Sequence, residues 1–202
     1  MLTLFHAPES RSGRILWLLE EMGVEYDLQL CTITRMDGFD RRDPANPHQD
    51  GKVPALMHGD VLVTESLAIA LYLTDLLPEA KLGYAAIEPE RGAYLTWLAW
   101  TAGELEPSLW AAMSGATNAE GPAKTRYDQA MARLIGALEK GPYLMGDRFT
   151  AVDVMAGGAL AWARKFAPPS ELIDAYVARL SARGANEAAC EKDNGVEQKE
   201  AA

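Results

Sequence analysis

The feature that most limits the fold is a change of periodicity near residue 88. Ahead of it, short apolar segments are interleaved with helical spacing; beyond it, helical spacing continues alone. Leu2–His6 reads as a strand ended by Ala7-Pro8. Ser10 to Gly23 has helical spacing, with Ile15, Leu18, Leu19 and Met22 sharing a face and Gly23 as the stop. Tyr26–Cys31 alternates as a second strand, and residues 32–50 read as a polar loop with room for one helical turn. Pro54–His58 and Val61–Val63 flank Gly59-Asp60 as a hairpin, then Glu65–Leu77 is helical and Pro78 closes it. The order β-α-β, loop, β-β-α implies a mixed sheet with helices on both faces. Arg91 to about Met113, Thr125–Lys140, Val152–Phe166 and Glu171–Leu180 read as helices with no strand between them. This pattern predicts an α/β domain over residues 1–78, a linker over 79–87 and an all-helical domain over 88–202. The polar, acidic tail from about Gly184 reads as one weak helix or a disordered end.

The charge balance removes several classes of function. Nineteen Lys and Arg against 29 Asp and Glu give a formal net charge of −10. That argues against a general nucleic-acid partner or an anionic membrane surface, both of which need a basic face. A small anion remains possible, because Arg11, Arg14, Arg35, Arg41, Arg42 and Lys52 are concentrated in the first quarter of the chain. The longest apolar runs, such as Ile15–Leu19, are too short to cross a bilayer. The N-terminus lacks the basic start and small-residue cleavage site of a signal peptide, so a cytoplasmic protein is expected. The two cysteines, Cys31 and Cys190, are remote and form no CxxC pair; His6, His48 and His58 have no metal-ligand spacing. Neither a disulfide framework nor a metal site is expected.

Two segments point to a ligand with a peptide body and an α-amino acid head. The first is Gly51-Lys52-Val53-Pro54-Ala55-Leu56. A proline opening a strand cannot donate to the sheet ladder, and an X-Pro bond can be cis at modest cost. A cis bond would turn the Val53 backbone outward, where its N–H and C=O could pair with a peptide as an added strand would. An edge-strand proline in a tight turn explains the same residues without a ligand. The second segment is Thr64-Glu65-Ser66, at a strand-to-helix junction. Free N–H groups there can receive a ligand carboxylate at Ser66, while Glu65 faces the ligand's ammonium. Plain capping, with Thr64 as N-cap, is the competing account. Further along, Thr150-Ala151-Val152-Asp153 fits a capping box, with Phe149 as a hydrophobic staple, and reads as structural.

With these motifs in hand, the chain resembles the glutathione transferase family, in a bacterial-type, serine-like form without an N-terminal catalytic cysteine. The resemblance rests on Asn46-Pro47, Gly51-Lys52-Val53-Pro54-Ala55-Leu56 and Thr64-Glu65-Ser66-Leu67-Ala68-Ile69. It is supported by Ser10 to Glu21 and by Phe149-Thr150-Ala151-Val152-Asp153, and it covers roughly residues 1–180. It implies an α/β thioredoxin-like N-terminal domain with an all-α C-terminal domain, and a homodimer. It also implies that Val53, next to Pro54, binds the cysteinyl backbone of glutathione, Glu65 and Ser66 the γ-glutamyl group, and Lys52 and His48 the glycine end. The chain departs from the family at His48-Gln49-Asp50, where the family usually has fewer residues.

A glutathione-dependent reaction needs the thiolate. Lowering a thiol pKa by about two units takes about 2.7 kcal/mol of preferential stabilisation, within reach of a hydroxyl donor and a helix N-terminus. The first turn, Glu9-Ser10-Arg11-Ser12, has no cysteine and no tyrosine beside it, so CxxC and mixed-disulfide chemistry from that turn are excluded. Ser10 is the candidate donor. Ser12 is an alternative, as is Glu9 by register, although a carboxylate would oppose a thiolate. Helix capping accounts equally for both serines. Trp97, Trp100, Trp110 and Met113 lie on the long helix; Trp110 or Met113 is expected to line an apolar pocket for a small hydrophobic electrophile. The expected activity is conjugation of glutathione to such electrophiles. Alternatives are a non-catalytic ligand-binding protein of the same fold, or a glutathione-dependent peroxidase, dehalogenase or isomerase.

Overall fold

A computed structural model describes residues 1–34 and 42–200, the last five of these by backbone alone. Of the basic residues named above, Arg35 and Arg41 lie outside the described residues, as does part of the 32–50 loop.

The first strand, β1 (Leu2–His6), alternates buried and half-buried residues, with Leu2, Leu4 and His6 inward. It is one of the two central strands of a four-stranded sheet ordered β2-β1-β3-β4. It runs parallel to β2 (Asp27–Leu30), with Thr3 opposite Asp27, and antiparallel to β3 (Ala55–His58), with Phe5 opposite Ala55. β4 (Val61–Thr64) closes a hairpin with β3 through Gly59, whose φ of +58° glycine adopts without steric cost. The mixed sheet expected from the element order is present.

Helix α1 (Ser12–Met22) crosses between β1 and β2 and ends where Gly23, at φ +63°, donates its N–H to the Leu19 and Glu20 carbonyls. The spacing predicts one buried face. Instead Ile15, Leu16, Trp17, Leu18 and Leu19 are all buried, and Met22 is only half-buried. The reason is α8 (Gly184–Glu200), which packs along α1 and covers the side that would face water. The tail is therefore a docked helix. It belongs to the first of two compact units, Met1–Ala80 with Arg183–Ala202, and the second unit is Lys81–Ala182. This differs from a helical domain running to residue 202. Residues 81–87 also differ from a free linker: the Leu82 carbonyl accepts from Ala151 N–H at 2.8 Å, and Tyr84 stacks on Tyr94 at 5.9 Å.

The second unit is all helical. The single long helix expected over Arg91 to Met113 is α3 (Arg91–Trp100) and α4 (Glu106–Met113), joined by a π-helical turn at Thr101–Leu105. Pro107 accounts for the turn. It has no N–H for the Gly103 carbonyl, which accepts from the Arg126 guanidinium instead. α5 (Pro122–Leu138), α6 (Ala151–Ala163) and α7 (Glu171–Ser181) complete the unit. α6 is buried over most of its surface, and its capping box is formed. Thr150 Oγ1 accepts from Val152 N–H at 3.3 Å, and Asp153 Oδ2 accepts from Thr150 N–H at 2.9 Å.

Candidate functional site

Strand directions bring three segments to one end of the sheet. β1 ends at His6 beside the start of β3, since Phe5 pairs with Ala55. β4 ends there too, since Ala55 also pairs with Thr64. The turn Ala7–Arg11, the Val53-Pro54 segment and the Glu65-Ser66 junction therefore leave the sheet together.

The Val53–Pro54 bond is cis, and among the described residues no hydrogen bond uses the Val53 N–H or C=O. The loop ahead of it is held by its own contacts. Asn46 Nδ2 donates to the Lys52 carbonyl at 3.1 Å, Asn46 Oδ1 accepts from His48 N–H at 2.9 Å, and His48 Nδ1 accepts from Asp50 N–H at 3.0 Å. His48 is buried and serves this scaffold. Lys52 is exposed, with its ammonium 3.5 Å from the Asp50 carboxylate. The His48-Gln49-Asp50 residues thus form an internally bonded turn, closed by Gly51 N–H on the His48 carbonyl at 2.9 Å.

Glu65, not Thr64, occupies the N-cap position of α2 (Ser66–Leu76), with φ +69° and ψ +121° and no side-chain cap. A bulky residue at positive φ is strained. Its side chain is exposed. Ser66 Oγ accepts from the Arg14 guanidinium of α1 at 3.3 Å. Among the described residues, no side chain caps the first N–H groups of α2, which suits an anion.

The turn before α1 is a connected set of hydroxyls. Ser10 Oγ donates to the Ala7 carbonyl at 2.7 Å and lies 2.7 Å from Ser12 Oγ. Ser12 is fully buried; its Oγ accepts from Ala7 N–H at 3.2 Å and lies 2.8 Å from His6 Nδ1. Ser10 is half-buried, and Glu9 is exposed at φ +52°. Of the three residues offered by the turn, Ser10 combines a hydroxyl with exposure, while Ser12 is enclosed. His6 and Arg14 join this site without a motif to announce them.

Trp110 and Met113 lie on α4 in the second unit. Trp110 is 37 % exposed and stacks edge-to-face on Trp162 at 5.6 Å; Met113 is half-buried. Trp97 and Trp100 pack on each other at 5.0 Å beneath the Arg133 guanidinium. Among the described residues, no group of three or more His, Cys, Asp or Glu side chains is placed to hold a metal ion, and no helix is long and apolar enough to cross a membrane.

Comparison with known proteins agrees with this geometry. The model for the glutathione S-transferase N-terminal domain matches residues 1–75, and that for the C-terminal domain matches residues 99–182. Glutathione S-transferase 3 of Schizosaccharomyces pombe is 32% identical over 113 residues, 55% of this chain and 45% of that protein. The chain thus matches less than half the length of that curated relative. Glutathione S-transferase GstA of Escherichia coli O157:H7 is 28% identical over 165 residues, 79% of this chain and 81% of that protein. The crystal structure of a glutathione S-transferase from Actinobacillus pleuropneumoniae superposes with a TM-score of 0.82 at 25% identity, covering 96% of this chain and 93% of that one. Two family models matched in order, over a thioredoxin-like sheet and a helical unit, lead to one conclusion: the chain belongs to the glutathione S-transferase family.

Proposed function

We propose that this protein is a glutathione transferase that joins the thiolate of glutathione to small hydrophobic electrophiles. The observation that carries the reading is the Val53 backbone, unused among the described residues and next to a helix start at Glu65-Ser66 that no described side chain caps. A tripeptide pairs with Val53 as an added strand, held in place by Pro54 at the strand entrance. Ser66 and the first N–H groups of α2 receive its γ-glutamyl carboxylate, and Glu65 its ammonium. Lys52 meets the glycine carboxylate, and His48 supports that contact by fixing the loop. Ser10 donates to the thiolate, at the start of α1, where helix N–H groups add positive potential. Trp110 and Met113 contribute apolar surface to the electrophile. No step in this scheme needs a metal. The protein acts as a cytoplasmic homodimer in detoxification, and sedimentation equilibrium at twice the 22.0 kDa chain mass tests the dimer.

The decisive assay is conjugation of glutathione to a chlorinated nitrobenzene. Turnover above background is expected for the native protein, with a fall of tenfold or more in kcat/KM for Ser10→Ala. Unchanged turnover in that variant would reject Ser10 as the activator. A second reading, glutathione binding without turnover, is favoured by one observation: Ser10 Oγ spends its proton on the Ala7 carbonyl at 2.7 Å. Native protein that binds glutathione by calorimetry but turns over no electrophile would establish it.

A further inference from the structure

The C-terminal helix does more than cover α1. It is clamped at two places. Arg183 Nε and Nη2 grip the two Glu21 carboxylate oxygens at 2.6 and 2.8 Å, a bidentate pair. Farther along, Lys192 Nζ lies 2.5 Å from Glu20 Oε1 and 3.1 Å from Tyr26 Oη. Between these clamps Ala189 is buried, so the helix sits close on α1. The residue after Lys192 is Asp193, which reaches the turn that carries Ser10.

Asp193 meets that turn with both oxygens. Oδ2 accepts from Glu9 N–H at 3.2 Å, and Oδ1 lies 2.9 Å from His6 Nε2, at ion-pair distance rather than in an aligned hydrogen bond. A carboxylate only accepts, so its charge favours a ring proton on Nε2 over a bare nitrogen there. His6 Nδ1 is then an acceptor, and the Ser12 hydroxyl 2.8 Å away donates to it. With its own proton turned to His6, Ser12 Oγ accepts from Ala7 N–H, and the single Ser10 proton is shared between Ser12 Oγ and the Ala7 carbonyl, each 2.7 Å away. The chain of polarity runs from Asp193 through His6 and Ser12 to Ser10. The same carboxylate holds the Glu9 N–H while Glu9 sits at φ +52°, a conformation a glutamate adopts only when its surroundings impose it.

We propose that Asp193 of the C-terminal helix is a positioning residue for the thiol-activating turn: it fixes the Glu9 backbone and the His6 tautomer, and through Ser12 the direction of the Ser10 hydroxyl. It touches neither glutathione nor the reacting atoms. The consequence for glutathione rests on the transferase reading above; the effect on the turn does not.

Two measurements on Asp193→Ala and the isosteric Asp193→Asn, made in the full chain, test this. Amide hydrogen exchange over residues 7–13 is expected to quicken at least tenfold in Asp193→Ala, with a smaller change in Asp193→Asn, which keeps one acceptor oxygen. Unchanged exchange there overturns the proposal, whatever glutathione does. Second, the ultraviolet absorbance of the bound glutathione thiolate is titrated. The apparent thiol pKa is expected to rise by about one unit, a tenfold loss of thiolate at fixed pH, with kcat falling and KM for glutathione moving less than threefold. Faster exchange with an unmoved thiol pKa and kcat would reduce Asp193 to a structural contact and also overturn the proposal. Arg183→Ala loosens the helix but keeps Asp193; an equal rise in thiol pKa in that variant would assign the effect to helix docking instead. Wild-type protein that leaves the glutathione thiol unperturbed refutes the transferase reading, and the exchange result still decides whether Asp193 positions the turn.

Discussion

At the scale of single residues, the candidate site holds a backbone cost. Glu65 at φ +69° and ψ +121° is the clearest case, since glycine would adopt that backbone with less strain. Glu65→Gly is therefore expected to leave stability unchanged or raise it by about 1 kcal/mol in urea unfolding, while glutathione affinity falls. A loss of stability in that variant would show that Glu65 is held for the fold. Ser66→Ala removes a hydroxyl at the helix start and is expected to weaken glutathione binding by about 1 kcal/mol, roughly fivefold, by calorimetry. Residue types and spacing made Val53, Pro54, Glu65 and Ser66 legible in the sequence, because a strand-opening proline and a strand-to-helix serine each have a local mechanism. His6 was not legible. Nothing near it in the chain says that its ring lies beside Ser12 on one side and Asp193 on the other, 187 residues away.

At the scale of elements, local signals fixed most boundaries. Gly23 ends α1 and the Thr150–Asp153 box starts α6, both by hydrogen bonds within a few residues. Thr150→Ala is expected to cost about 1 kcal/mol or more in unfolding free energy, because a buried helix start loses its cap; equal midpoints for the two proteins would refute this. The π-helical turn was missed, although Pro107 signals it. A proline in helical spacing reads as a break or an N-terminal position, and the partner of the freed Gly103 carbonyl, Arg126, lies 23 residues away. α8 was legible least of all. Its sequence is polar and carries no wide apolar stripe, and its docking depends on Arg183, Lys192 and Asp193 finding partners on α1 and the turn before it. Truncation after residue 182 is expected to uncover the α8-facing side of α1 and lower the melting temperature by several degrees. An unchanged melting temperature would mean that α8 adds nothing to the first unit.

For the molecule as a whole, two terms make stability depend on pH in the same direction. The net charge of −10 at neutral pH opposes compaction, and that repulsion falls as pH approaches the pI near 4.8. Asp153 adds a specific term. Burial pushes its carboxyl up to about 6, although donors from Leu144, Thr150 and Tyr176 pull it down. Because the folded value lies above the unfolded one, its contribution is full below about pH 4 and is lost as pH rises through about 6, by about 3 kcal/mol at most. Urea unfolding of the native protein and Asp153→Asn across pH 4 to 7 measures the difference; the native protein is expected to show the steeper loss, and parallel profiles would remove Asp153 as the cause.

The sequence by itself determined the order of the strands and of most helices, the Gly23 stop, the Thr150–Asp153 cap, the acidic balance and the two candidate ligand-binding segments, because each depends on local composition or on hydrogen bonds and periodicities spanning a few residues. Only the tertiary structure decided that the last helix belongs with the first sheet, and that Asp193 stands behind Ser10. Those contacts join residues more than 160 positions apart, and the side chains that make them look like any solvated charge until the fold brings their partners within reach.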